Sequence, residues 1–575
     1  MIYLIIFLTT VIYMFSVVVT MYITQTTTHS KSGERYICTL LRESYRDGGA
    51  VKNRTIANLS HCKPEEIAAI RLALEHKENL AELGSIQDSV RLQEGLSVGA
   101  VWTVYSIAKH LGIEKALGTE RQGKLALWQV MARTIDQGSR LSAVRLAQTH
   151  AACDILDMSQ GFDENDLYDN LGWLTEHQEQ IERSLFRTRQ KGKEKPSELF
   201  LYDVTSSYFE GMCNALADWG YNRDGKKGKK QVVVGLLCDE QGEPVSVEVF
   251  HGNTSDVKTF ANQIGKVADR FGCKRVTMVG DRGMIKSAQI EQLKEKEGFY
   301  YITALTKPQM ETLLQKGVVQ LSWFDEKICE VESAGVRYVL RQNPQRVEDL
   351  KRSRQDKHAS VSKLLEKKNR YLADHPRAKV DIARRDVASR IVQLKLDGWM
   401  KVVTADRELQ MQEDSEALRE ASRLDGCYVV KSDLPKDYAD AQTVHDRYKD
   451  LALVEQAFRT SKTAHLEMRP WFVHIEKSTR GHALVVMLAY LIARYLRQAW
   501  VDLDLTVEEG LQHLTTLCAT QILVKNEVRC NQIPVPRELS QKLLKAADIH
   551  IPTALPFLGA KVVTRKKLTE RRVKH

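Results

Sequence analysis

No C-x-x-C pair occurs among the ten cysteines. A zinc or redox motif is therefore absent, and reduced thiols in a cytosolic protein are the natural reading. Internal repeats and low-complexity tracts are also missing, which sets aside repeat architectures. No charged residue precedes Lys31. Residues 1–23 are almost wholly apolar, yet a signal peptide would open on a basic stretch that is not there. Two readings remain: a start placed too early, with Met21 opening an ordinary polar beginning, or a single membrane span holding Lys31 and Arg35 in the cytoplasm. The first is preferred, and a cytoplasmic, nucleoid-associated protein is expected. No later apolar run reaches membrane length. Ala483 to Ala493 is short and is followed by Arg494 and Arg497, which suits a buried core helix.

What is present begins with size. A chain of 575 residues is too long for one core and predicts two to four domains. Its apolar fraction of 43% is ordinary, and a formal net charge of +10 tilts it towards a polyanionic partner. The pattern predicts an α/β protein. A mostly helical DNA-binding region is expected over residues 35–180, opening on a hairpin around Asp47-Gly48-Gly49. Within it, SIAKHLGIEKAL is spaced like a helix-turn-helix, with a plain helical hairpin as the equal alternative. From Leu199 the order is strand, strand, strand, helix, strand, helix, strand, that of a ribonuclease-H-like mixed sheet flanked by helices. This first part of the core, 197–305, is followed by a β-rich insertion over 306–436, with short strands expected at Val318–Trp323, Lys327–Val331, Val336–Leu340, Gly398–Val403 and Gly426–Lys431 and a highly charged helical piece at Arg346–Tyr371. The second part, 437–500, carries one further helix that bears on function. A helical C-terminal region with a basic tail, 501–575, completes the chain.

That helix is read over His445 to Lys462, HDRYKDLALVEQAFRTSK, which holds neither Gly nor Pro. At about 100° per residue, Tyr448, Glu455, Arg459 and Lys462 fall within an arc of roughly 60°. A carboxylate beside two cations and a phenol suits a metal and a phosphate-bearing substrate. The alternative is an i,i+4 ion pair between Glu455 and Arg459. Two more acids stand at strand ends: Asp203 in ELFLYDVTSSYFEG and Asp281 in RVTMVGDRGM. Functional side chains gather at the carboxyl ends of strands in open sheets. Convergent carboxylates repel unless a cation lies between them. An all-oxygen set suits Mg²⁺ or Mn²⁺, and two such ions perform phosphodiester chemistry. The basic loop NRDGKKGKK offers Arg223, Lys226, Lys227, Lys229 and Lys230 to a DNA backbone, or forms a solvated hairpin. Arg282 could hold a phosphate or a salt bridge. Trp471 reads as core more readily than as a base-stacking platform.

These residues carry a resemblance. From about Asp203 to Leu496 the chain resembles a DDE-type insertion-sequence transposase of insertion-sequence family four. Tyr448, Glu455 and Lys462 match the spacing of that family's signature, while Leu451 stands where the family has arginine; Arg447 or Arg459 would have to replace it. LYDVTSSYFEG, FHGNTSD and VGDRGMIKSAQI resemble the family as well. The resemblance implies an enzyme that cuts and joins DNA at the ends of its mobile element. Asp203, Asp281 and Glu455 would be catalytic residues and ligands of two Mg²⁺ or Mn²⁺ ions. Tyr448, Arg459, Lys462 and Arg282 would lie on the DNA. Partners would be double-stranded end and target DNA, bound by a homodimer, with no small-molecule substrate. Alternatives are a nuclease of the same fold without strand transfer and a non-catalytic DNA-binding derivative.

Overall fold

The computed structural model describes residues 20–29, 35–47, 50–77, 90–191, 193, 197–211, 213–462, 466, 468, 471–524 and 527–565. The apolar stretch 1–19 and the tail beyond 565 lie outside them. Among the described residues no helix is long and apolar enough to cross a membrane. The chain divides into two compact units, residues 1–95 with 520–532, and residues 96–519 with 533–575. The boundary thus falls near 95, not at the 180 expected for the N-terminal region.

Over 35–180 helices predominate as expected, but the first unit itself is built mainly of strands. Strands β1 (Thr20–His29), β2 (Arg35–Asp47) and β3 (Ala50–Asn58) form an antiparallel sheet in that order, and α1 (Pro64–Glu75) follows. The expected hairpin is β2–β3, with Asp47 opposite Ala50. Strand β4 (Val90–Ser97) pairs with the later strand Cys518–Val524.

The second unit opens with helices α2 (Gly99–His110), α3 (Ile113–Leu117), α4 (Arg121–Ile135), α5 (Arg140–Thr149) and α6 (Glu164–Gln190). The helix-turn-helix reading fails here. Gly112 turns the chain at φ +75°, but α3 has only five residues, and its Ile113, Ala116 and Leu117 are buried. No free recognition helix is left to enter a groove; the plain hairpin is what forms.

The central sheet follows. It contains β5 (Leu199–Tyr208), β6 (Gln231–Asp239), β7 (Pro244–His251), β8 (Val276–Gly280) and β9 (Phe299–Ala304), with α7 (Asp256–Gly265) and α8 (Ser287–Lys294) in the crossovers. Spatial order is β7-β6-β5-β8-β9. β6 runs antiparallel to both neighbours, whereas β5, β8 and β9 are mutually parallel. That is the ribonuclease-H-like arrangement. QVVVGLLCD of β6 is buried throughout, as a strand covered on both faces requires. Alternation sorts the side chains. Leu199 and Leu201 of β5 join the core shared with the helical body, while Phe200, Tyr202 and Val204 face the core beneath α7 and α8. Asp203, by parity, points to the first face.

The insertion differs from the β-rich body expected. Strands β10 (Cys329–Ser333), β11 (Val336–Gln342) and β14 (Cys427–Ser432) extend the main sheet beyond β9 to eight strands. Between β11 and β14 lie two long helices, α9 (Pro344–Asp374) and α10 (Val380–Gln393), and the hairpin β12 (Met400–Ala405)–β13 (Glu408–Glu413). These share a small core of their own around Val361, Leu372, Val387, Ile391 and Trp399. The strand expected at Val318–Trp323 is a loop with one 3₁₀ turn, anchored by buried Val319.

After β14 come α11 (Ala441–Lys449), α12 (Leu451–Lys462), α13 (Glu476–Ala499) and α14 (Val507–Thr515). α13 is the apolar helix expected beneath the sheet, buried from Gly481 through Ala493. It packs against α6 at closest range where Gly481 meets Leu171: a Cβ at position 481 would stand 2.1 Å from the Leu171 carbonyl oxygen. That oxygen is backbone and cannot swing aside. Gly481→Ala is therefore expected to cost about 1–3 kcal/mol, read as a lower urea midpoint; an unchanged midpoint would contradict this packing.

Candidate active site

The two aspartates are brought together by strand register. In the parallel pair β5–β8, Leu201 lies opposite Val279 and Tyr202 opposite Gly280. The next step puts Asp203 beside Asp281, which directly follows β8. Helix α12 packs on β5 through an apolar face of Leu451, Val454, Ala457 and Phe458. Glu455 stands at the edge of that face, next to Leu451 on the helix surface, and is exposed. All three carboxylates line one cavity of about 330 Å³, together with Tyr448, Lys449, Asn343 and Tyr428.

The electrostatics match the geometry. Burial pushes the Asp203 carboxyl up to about 7, and the charges of Asp281 and Glu455 push the same way. The Val204 N–H, which donates to Asp203 Oδ1 at 2.7 Å, and Arg223 work against this rise. Asp281 Oδ1 accepts from the Arg282 N–H at 2.7 Å and from the Tyr448 hydroxyl at 3.0 Å. Burial, then the Asp281 charge, raises the Tyr448 phenol.

As they stand, the acids share a cavity without closing into a ligand cluster. Among the described residues no group of three His, Cys, Asp or Glu is drawn closely enough to hold a metal ion. The donor set nevertheless fits Mg²⁺ or Mn²⁺ in kind: three carboxylates, and a raised Asp203 whose like-charge neighbours a divalent cation would neutralise.

The single helix expected from His445 to Lys462 is two. α11 ends at Lys449, Asp450 sits between, and α12 begins at Leu451. Tyr448 thus reaches the cavity from α11 and is engaged with Asp281 instead of lying on an open DNA-gripping face. The Glu455–Arg459 ion pair does not form, so the purely intrahelical explanation of that face lapses. Arg459 and Arg282 are exposed and make no ion pair among the described residues. Lys462 is turned inward. Its ammonium donates to the Ser206 carbonyl and pairs with Asp224 at 2.9 Å, where both side chains are nearly enclosed. It ties the end of β5 to the basic loop.

The basic loop is partly neutralised by its own fold. Arg223 Nη2 donates to both carboxylate oxygens of Asp256, each at 2.8 Å. Lys229 pairs with Glu210 at 2.7 Å, and Lys226 lies over the Tyr208 ring. Lys227 and Lys230 remain exposed without an ion pair among the described residues. Trp471 is fully buried, edge-on to His482, as its core reading expected.

Sequence reasoning missed Lys449, Asn343 and Tyr428 in the cavity. Leu451, at the position where arginine was expected, also lines it. Arg447, one suggested replacement, is held by Asp450 at 3.6 Å. The cation that lines the cavity is Lys449, whose adjacency to Tyr448 was the available signal.

Asp203 makes stability depend on pH. An acid raised by folding holds its proton more tightly in the folded chain. The stability it contributes is complete below the unfolded value of about 3.9 and is lost as pH rises through about 7. In the metal-free protein the thermal midpoint should fall over that window, and Asp203→Asn should flatten the fall. Equal slopes for both proteins would contradict the assignment.

Comparison with known proteins adds four observations. The model of an IS1634 family transposase N-terminal domain matches residues 23–87. No curated protein matches the chain. A cryo-EM structure of a piggyBac transposase synaptic complex with hairpin DNA is similar at 7% identity and a TM-score of 0.34, covering 74% of this chain and 69% of that one. The model of the transposase DDE domain matches residues 184–492, more than half of the sequence and all three acids of the cavity, and the chain belongs to the DDE-domain transposases.

Proposed function

We propose that this transposase binds the ends of its own insertion sequence in double-stranded DNA, cuts there, and joins the freed 3′ ends to target DNA. The observation that carries the reading is the cavity shared by Asp203, Asp281 and Glu455. These three would hold two divalent ions. When bound, such ions supply an activated attacking water or hydroxyl and stabilise the leaving oxygen.

The remaining residues bind and orient. Tyr448 fixes the Asp281 carboxylate through its hydroxyl. Lys449 would meet a phosphate entering the cavity, in the place left without a cation by Leu451. Arg459, one turn beyond Glu455, and Arg282, next to Asp281, are exposed cations suited to flanking phosphates. Lys227 and Lys230 could extend this contact along the backbone. Lys462 instead braces β5 against the basic loop. Joining two ends requires two active sites on one DNA assembly, so a DNA-bound homodimer is part of the proposal. The finer placement in insertion-sequence family four rests on the spacing of Tyr448, Glu455 and Lys462, and the expected setting is the nucleoid.

Precut element ends, a supercoiled plasmid and Mg²⁺ test this together. The wild type should yield end-joined plasmid. Asp203→Asn and Glu455→Gln should each lower cleavage and joining by at least about 100-fold, more than loss of an outer-shell partner costs, while keeping the native circular dichroism spectrum. Nicked plasmid without joined product would replace strand transfer with simple nuclease action. Undiminished cleavage by either variant would remove the assigned acids from the reaction.

A further inference from the structure

A second cavity, larger than the first, lies in the helical part of the same unit. Its volume is about 770 Å³, within the range that takes up a small organic ligand. The end of α4, the start of α5, one face of α6 and the start of α13 enclose it. None of the residues assigned to catalysis lines it.

Its wall contains a buried cation with no carboxylate partner among the described residues. Arg140 is 6% exposed and makes no ion pair among the described residues. Its Nη2 donates to Nδ1 of His482 at 3.0 Å, and its Nε has no hydrogen-bond partner. His482 is no counter-charge, because burial and the neighbouring Arg140 and Arg133 hold its pKa well below the usual value. Arg133, also buried, lines the same wall and spends its guanidinium on the carbonyls of Gln137 and Gly138. Burial lowers the Arg140 pKa only to about 9, so the guanidinium stays charged at neutral pH. A buried cation without a carboxylate is costly. An anion arriving from outside would offset that cost.

Two further features narrow the anion. The 24-residue α13 points its amino end at this cavity, with Ile475 at the cap position and no side chain capping it. Its free N–H groups and dipole favour a phosphate. At the mouth stand large apolar side chains left open to solvent: Phe472 at 64% exposure, with Tyr168 and Ile475 beside it. Asp169 is the single acid on the wall among the described residues. Charge deep inside and an aromatic ring at the entrance suit a phosphate joined to a base.

We propose that this cavity takes up one unpaired nucleotide of a DNA strand, its phosphate against Arg140 and the amino end of α13 and its base against Phe472 and Tyr168. Duplex DNA cannot present a base in this way without opening, so the site discriminates single from double strands. DNA as the source of the nucleotide rests on the transposase reading; the uptake itself needs neither metal nor cleavage.

The test is the ratio of single- to double-stranded affinity, measured in EDTA with the full-length protein and a fluorescent oligothymidine or its duplex. A ratio reduces any contribution from the basic loop, whose charges would attract either form. The wild type should prefer the single strand. Phe472→Ala, at an exposed position, should lower the ratio about tenfold, the size expected for losing one base–aromatic stack. Arg140→Met should lower it at least as far while leaving the melting temperature equal or raised, since a buried charge has been removed. The ratio is read in EDTA, where cleavage plays no part, so a failed cleavage assay and a failed nucleotide site are separate results. An unchanged ratio in Phe472→Ala and Arg140→Met, or no single-strand preference in the wild type, would overturn the proposal.

Discussion

The strand register that sets Asp203 beside Asp281 at a shared cavity governs how this molecule is laid out. Asp203 and Asp281 are forced together by the β5–β8 register, and α12 brings Glu455 to the same cavity. Nothing apolar is gained by this. Asp203 interrupts the face of β5 that otherwise supplies Leu199 and Leu201 to the core. A sheet optimised for packing would place an aliphatic residue there. Burial, and after it the charges of Asp281 and Glu455, holds the Asp203 carboxyl above its usual range, a cost that a divalent cation would offset.

The surrounding structure holds this unfavourable arrangement in place. β6 is buried along its whole length and anchors β5 from one side. α13, almost entirely buried, supports the face on which α12 rests. Lys462 locks the far end of α12 to Ser206 and Asp224. The acids therefore sit on rigid elements, while the cations around them divide into two kinds. Arg223, Lys229 and Lys462 are consumed by Asp256, Glu210 and Asp224. Arg282, Arg459, Lys227 and Lys230 stay open to solvent. A count of basic residues would have treated these groups alike.

Much of the site was legible because its signals are local. Asp281 follows the end of β8 as expected, whereas Asp203, expected near a strand end, lies in the middle of β5, which runs on to Tyr208; an acid in so apolar a strand is out of place wherever it stands, and the strand–helix order implies which strands are neighbours. The expected strands β5 to β9 are all present, and the buried reading of α13 and of Trp471 fits the structure. What escaped depends on partners distant in sequence. Lys462 finds Asp224 across 238 positions, and no helical wheel shows that. The break at Asp450 involves neither Gly nor Pro; Asp450 keeps helical dihedrals, φ −61° and ψ −14°, and the interruption is a matter of hydrogen bonding between α11 and α12. β10, β11 and β14 read correctly as strands, but their attachment to the main sheet is a tertiary pairing that alternation alone cannot assign. In the N-terminal region the hairpin and the helices from Pro64 onward follow local signals, whereas β1 and β4 are strands beyond those expected.

Calorimetric titration of Mn²⁺ into the metal-free protein bears most directly on the shared role of the three acids. Binding should be clear in the wild type and should weaken sharply in Asp203→Asn, Asp281→Asn and Glu455→Gln alike, because each removes a wall of one site. If Glu455→Gln bound Mn²⁺ as the wild type does while the two aspartate variants failed, the glutamate would stand outside the metal site and the three-acid account would be contradicted.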